Sequence, residues 1–305
     1  MPPDRAVPPH RPFLSAGAAF QIGLKPMEVS AWLDTGPDHA SFMAGKRARL
    51  SGLPPLYYRS LPLSLPAQAE LRDAVVDNLL TNHRHAFQME QGQLGDLLDG
   101  SRHDLSSPEP LAVIGNMLEE DFILFQNVDG SDIITAASNA YSSSGRIVSC
   151  VGRDMRYAHD PVPGLNAQLG SRIDRVLGNV QTGAPVVRFN WFITSIASRL
   201  FPEGSHDANV AAAARTAEAL AADFRRVGDL LWLRVERQTF MRLPETQALA
   251  FGIHTSSHPL SMLAGDHASL EAIARLLAEY SEERLVYSAM NAIRAPLSRW
   301  IGSRQ

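Results

Sequence analysis

The sequence predicts an α+β fold, a mostly antiparallel sheet with helices toward both ends of the chain. Three observations lead there. Apolar residues recur at helical spacing in the early and late parts of the chain. The middle shifts to short runs with alternating character. Within that middle part, Asp129-Gly130 separates two apolar runs as a tight hairpin turn would.

The elements follow in order. Residues 1–12 are rich in Pro and Arg and, with the stretch up to residue 19, read as a disordered tail with little to bury. Trp32-Leu33 reads as a buried anchor on a short helix. Leu53–Leu65 is punctuated by proline and reads as irregular. Ala67–Asn82 is a helix: Leu71, Val75, Val76, Leu79 and Leu80 share one face, and Pro66 suits the first turn. Glu109–Leu118 is a second helix, with Pro110 near its start. Phe122–Gln126 and Ile133–Ala137 form the hairpin across Asn127–Ser131, and Ile147–Val151 reads as a further strand. Pro185–Ile193 is a strand with Val187, Phe189 and Trp191 on one face. Leu230–Arg242 and Ala248–Ser256 are two long strands joined across Pro244-Glu245-Thr246. Ala208–Val227 is an alanine-rich helix. Leu270–Tyr280 and Glu283–Trp300 form a helical hairpin, with Pro296 placed to bend its second member.

Composition narrows the function classes. The chain has 305 residues, 45% hydrophobic and 20% charged, with net charge -4. Those are values of an ordinary globular chain, and the net charge does not suggest a nucleic-acid binder. Lys46-Arg47-Ala48-Arg49 is a short basic cluster that reads as a solvated helix face. The single cysteine, Cys150, excludes an intramolecular disulfide and a cysteine-set zinc or iron–sulfur site held by this chain alone. No stretch approaches the roughly 20 apolar residues of a membrane span, and the start lacks a signal-peptide apolar region. The expectation is a cytoplasmic protein that binds neither membrane nor nucleic acid. No Gly-rich dinucleotide fingerprint, phosphate-binding loop or G-x-S-x-G elbow is present.

Several residues could carry chemistry. His159 precedes Asp160-Pro161-Val162-Pro163-Gly164, where two prolines fix the backbone. A histidine held in one direction suits a haem ligand; it also suits a ring hydrogen-bonded to the loop backbone. Val235–Pro244 carries polar groups on both faces of a strand, with Glu236, Gln238 and Arg242 on one and Arg237, Thr239 and Met241 on the other. Buried there, they are functional or form a structural ion-pair network. Asn190, in Arg188-Phe189-Asn190-Trp191, could donate to a ligand or complete the sheet bonding. His254 and His258 read as pocket residues, acid/base groups or exposed histidines. His83 and His85 lack a third ligand nearby in sequence. Cys150 reads as a small buried hydrophobe or, alternatively, a haem thiolate.

Four segments together resemble the haem-dependent oxidative N-demethylases. They are Phe20–Pro26 followed by Trp32-Leu33; Leu118-Glu119-Glu120-Asp121-Phe122 with its hairpin; Gly152-Arg153 through Gly164, then Asn190-Trp191; and Arg234–Pro244. The resemblance spans roughly residues 20 to 301. It implies a single domain over residues 20–305, a PAS-like antiparallel sheet enclosing a haem b cavity. The implied reaction is O2-dependent removal of a methyl group from a small amine, releasing formaldehyde. Electrons would come from NADPH through a partner reductase carrying FMN and a 2Fe–2S centre, or from a ferredoxin. The resemblance makes His159 the preferred axial ligand and metal-binding residue. Glu236 and His254 become catalytic candidates, and Arg237, Arg242 and Asn190 cofactor-binding candidates. It allows a homo-oligomer. Two departures bear on the pocket. Ala140–Gly145 replaces a Cys-Phe-Pro-x-x-Trp-like segment, and His254 stands where an arginine is common. The expected substrate is therefore a small amine or a related nitrogen compound. The competing readings are a PAS-like haem sensor and a non-catalytic small-molecule-binding subunit.

Overall fold

The computed structural model describes residues 7–17, 22–140, 146–200 and 205–304; Phe20, Gln21 and Tyr141–Gly145, singled out above, lie outside them. Its strands are β1 (Lys25–Pro26), β2 (Tyr58–Ser60), β3 (Phe87–Glu90), β4 (Gln93–Asp96), β5 (Arg102–His103), β6 (Asp121–Val128), β7 (Ser131–Ser138), β8 (Val186–Thr194), β9 (Trp232–Arg242) and β10 (Leu249–Pro259). Its helices are α1 (His39–Leu50), α2 (Leu65–Asn82), α3 (Pro110–Met117), α4 (Met155–His159), α5 (Leu165–Gly178), α6 (Ser205–Ala222), α7 (Val227–Leu230), α8 (His267–Glu279), α9 (Glu282–Tyr287) and α10 (Arg294–Gly302).

Seven strands form one antiparallel sheet in the order β1-β8-β9-β10-β6-β7-β2, and β3-β4-β5 form a small second sheet. The α+β expectation holds. The β6–β7 turn places both Asp129 (φ 51) and Gly130 (φ 84) in the left-handed region, as a two-residue hairpin loop requires. Strand alternation then divides the core. Phe122, Leu124, Met241 and Ala250 face α2 and α3, whose Leu71, Val75, Leu79 and Ile114 are fully buried. Ile123, Phe125, Phe240 and Phe251 face the other way, where Phe240 and Phe251 stack at 4.5 Å. Val235 and Ile193 join a third cluster with α8 and α10.

Four local expectations are corrected. Ile147–Cys150 is a 3-10 turn, not a strand: Val148, Cys150 and Val151 all reach the core, a helical spacing that a nearly all-apolar run conceals. The last helix breaks at residues 288–293, where Ala289 has φ +57, and Pro296 lies in the first turn of α10. That break lets Leu285, Met290, Ile293 and Leu297 all face one cluster. The supposed tail is packed over its described part: Phe13 is fully buried against Trp191, and Arg11 pairs with Asp266. One aromatic residue with a cavity to fill outweighs the polar composition around it.

The basic cluster is the largest correction. Lys46 is fully buried. It donates to Leu118 O at 2.8 Å and pairs with Asp121 at 3.2 Å. Arg47 bonds Asp99 and Asn116 O, and Arg49 bonds Ala140 O. The acidic run Glu119-Glu120-Asp121 explains the burial of Lys46, since three buried carboxylates attract a cation from elsewhere in the chain.

Candidate active site

Three adjacent strands, β8, β9 and β10, present alternate residues to a cavity of about 650 Å³. Arg188 and Asn190 come from β8, Arg234, Glu236, Gln238 and Phe240 from β9, and Phe251, Ile253 and Thr255 from β10. The facing wall is apolar and comes from α4, the proline loop and α5, including Met155, Val162, Leu169 and Ile173. Tyr287, Ser288, Arg284, His206 and Asn209 also line it, as do Asn139 and Arg146. That volume lies in the range of small-molecule sites.

His159 ends α4 and lines this cavity. The loop around it satisfies its own backbone: Asp154 caps Tyr157 N at 2.8 Å, and Val162 N donates to His159 O at 2.9 Å. Asn166 donates to Arg156 O and to Asp160. Gly164, at φ +73, turns the chain into α5. The imidazole therefore has no hydrogen-bond partner among the described residues, unlike a ring engaged by the loop. Burial, then the Arg188 charge, lowers its pKa and favours the neutral ring.

Glu236 is buried and accepts hydrogen bonds from Asn190 Nδ2 at 3.2 Å and Gln238 Nε2 at 3.0 Å. Arg188 stands beside it on the neighbouring strand, its Nε buried without a partner among the described residues. Burial pulls the guanidinium pKa down while Glu236 pushes it up. Arg146 bonds Tyr157 O at 3.1 Å and lies over that ring.

Three predicted site residues stand outside the cavity. Arg237 occupies the opposite face of β9 and donates to Ala31 O and Trp32 O. Arg242 binds Leu177 O, Val180 O and Gln247 O, clamping loops together. His254 also faces away and lies 3.3 Å from Glu119. Cys150 is a fully buried apolar contact whose thiol bonds Arg146 O.

The back of the sheet carries an ionic network. His39 bonds Asp96 at 2.8 Å and Glu119 at 3.0 Å; Glu119 also meets Arg199 and His254. Burial opposes charge on His39, but its two carboxylate partners raise its pKa to about 9. Burial likewise opposes ionisation of Glu119, yet His254, His39 and Arg199 hold its carboxyl well below the usual range. His39, Asp96 and Asp99 have metal-ligand spacing, but His39 already uses both nitrogens and Asp99 holds Arg47. The geometry is that of mutual ion pairing.

Sequence reasoning picked out Arg188-Phe189-Asn190-Trp191 but gave Arg188 no role of its own, although it lies two residues before Asn190 and hence on the same strand face. Tyr287 gave no signal, because it arrives from a helix distant in sequence. No helix among the described residues is long and apolar enough to cross a membrane. Compared with known families, residues 23–298 match the model described as haem-dependent oxidative N-demethylase, alpha subunit-like.

Proposed function

The chain belongs to the haem-dependent oxidative N-demethylase, alpha subunit-like family, and on that premise we propose that it is an O2-dependent monooxygenase of a small amine, with haem b in the cavity of a PAS-like sheet. Membership supports an oxidoreductase. The observation that carries the finer reading is His159, whose imidazole has no hydrogen-bond partner among the described residues and lines a cavity of about 650 Å³ with an apolar helical wall.

The residues present fit haem. His159 offers a neutral nitrogen, and the α4–α5 wall offers an apolar surface. When bound, the haem supplies O2 activation. Glu236, oriented by Asn190 and Gln238, holds the substrate ammonium and so aims its N-methyl group. The apolar wall limits water around the reacting methyl. Overall, the methyl leaves as formaldehyde with one oxygen atom of O2, and the other atom leaves as water. Two electrons and two protons are required. A partner reductase using NADPH, FMN and a 2Fe–2S centre, or a ferredoxin, supplies the electrons.

The test is a UV–visible spectrum of protein made with ample haem precursor, before and after dithionite and carbon monoxide, for wild type and His159→Ala. The expected result is a Soret band that shifts with carbon monoxide and an altered axial spectrum in the variant. No Soret band after haem titration would defeat the oxidase reading. An unchanged axial spectrum in His159→Ala would remove His159 as the ligand.

A further inference from the structure

Arg188 and Glu236 are opposite charges on adjacent strands facing one cavity. The register pairs Arg188 with Gln238 and Asn190 with Glu236, so the two charged residues are diagonal neighbours, roughly 7–8 Å apart at the backbone. They do not form an ion pair. Asn190 and Gln238 donate to Glu236, while Arg188 Nε is buried without a partner among the described residues. An uncompensated donor of this kind is costly unless a ligand completes it.

An anion bound at Arg188 alone would sit near the Glu236 carboxylate and be repelled. An amine bound at Glu236 alone would leave the guanidinium unmet. A ligand carrying both charges meets both side chains at once. We infer that the substrate is a zwitterion, a small N-methylated amino acid, with its secondary ammonium on Glu236 and its carboxylate on Arg188. This rests on the oxidase reading and specifies its substrate class.

The test is calorimetric titration of the haem-reconstituted full chain with N-methylglycine and with dimethylamine, for wild type, Arg188→Met and Arg188→Lys. A Soret spectrum is recorded on every sample. A charge-assisted contact predicts that N-methylglycine binds wild type at least about tenfold more tightly than dimethylamine. Arg188→Met should erase that preference and leave both dimethylamine binding and the Soret band as in wild type; Arg188→Lys should restore part of it. Equal binding of the two amines to a wild type with an intact Soret band overturns the zwitterion and leaves the oxidase reading standing. A preference that survives Arg188→Met overturns it too. If that variant also loses haem, Arg188 serves a haem carboxylate instead. An absent Soret band with retained N-methylglycine preference defeats the haem reading alone.

Discussion

Replacing Lys46 with methionine isolates the buried ionic network. Methionine keeps the apolar stem and removes the ammonium. The change strips Asp121 of a cation at 3.2 Å and Leu118 O of a donor at 2.8 Å, at a position with no exposed surface. Asp121 keeps its bond from Ala140 N, so the carboxylate is only partly compensated. Breaking a buried pair from one side costs about 3–5 kcal/mol. A lysine on a solvated helix face would give a change within about 0.5 kcal/mol. The assay is urea unfolding followed by circular dichroism, which separates these two ranges. Burial is the largest influence on Lys46 and pulls its pKa down while Asp121 raises it, so the pair itself is held at a desolvation cost. Lys46→Met combined with Asp121→Asn should therefore cost less than the sum of the single changes, by at least about 1 kcal/mol. A single substitution near neutral, or strictly additive changes, would refute the reasoning.

Other perturbations test separate parts of the fold. His39 has a folded pKa of about 9 against an ordinary 6.5, so its contribution is full below pH 6.5, declines above it, and is lost as pH rises through about 9. At about 1.36 kcal/mol per unit that is roughly 3 kcal/mol, and His39→Gln should flatten this part of the stability–pH curve in unfolding titrations. Gly252→Val should destabilise by about 1–3 kcal/mol, because even a Cβ would lie 2.7 Å from Thr239 Oγ1 and 3.0 Å from Phe122. Phe13→Ala should cost about 3–5 kcal/mol and lower the thermal midpoint, since a fully buried ring is removed from beside Trp191.

The sheet was legible in the sequence because its signals are local. A left-handed dipeptide turn and period-2 alternation place β6, β7, β9 and β10 without tertiary information. Alternation also put Glu236 and Gln238 on one face and Arg237 on the other, as the cavity has them. Which face holds the cavity is decided by packing and cannot be read from β9 itself. Arg237 was a candidate because polar residues on both faces of β9 looked equally purposeful, and His254 because it stands where an arginine is common in the family it resembles. The burial of Lys46 was hidden for a related reason: its partners are the carbonyls and carboxylate of residues 118–121, more than seventy positions away. Phe13 shows the limit of composition, since one side chain can order a segment that is otherwise polar.

The two faces of β9 do different work: residues 234, 236 and 238 line the cavity, whereas Arg237 anchors the segment at Ala31 and Trp32. A slip of one residue would turn Glu236 toward backbone carbonyls and send Arg237 into the cavity, an exchange of charge that the sheet rejects. The hairpin register is thereby guarded from both sides. The same division lets a substitution on the cavity face reshape its lining while the ionic network behind it stays untouched.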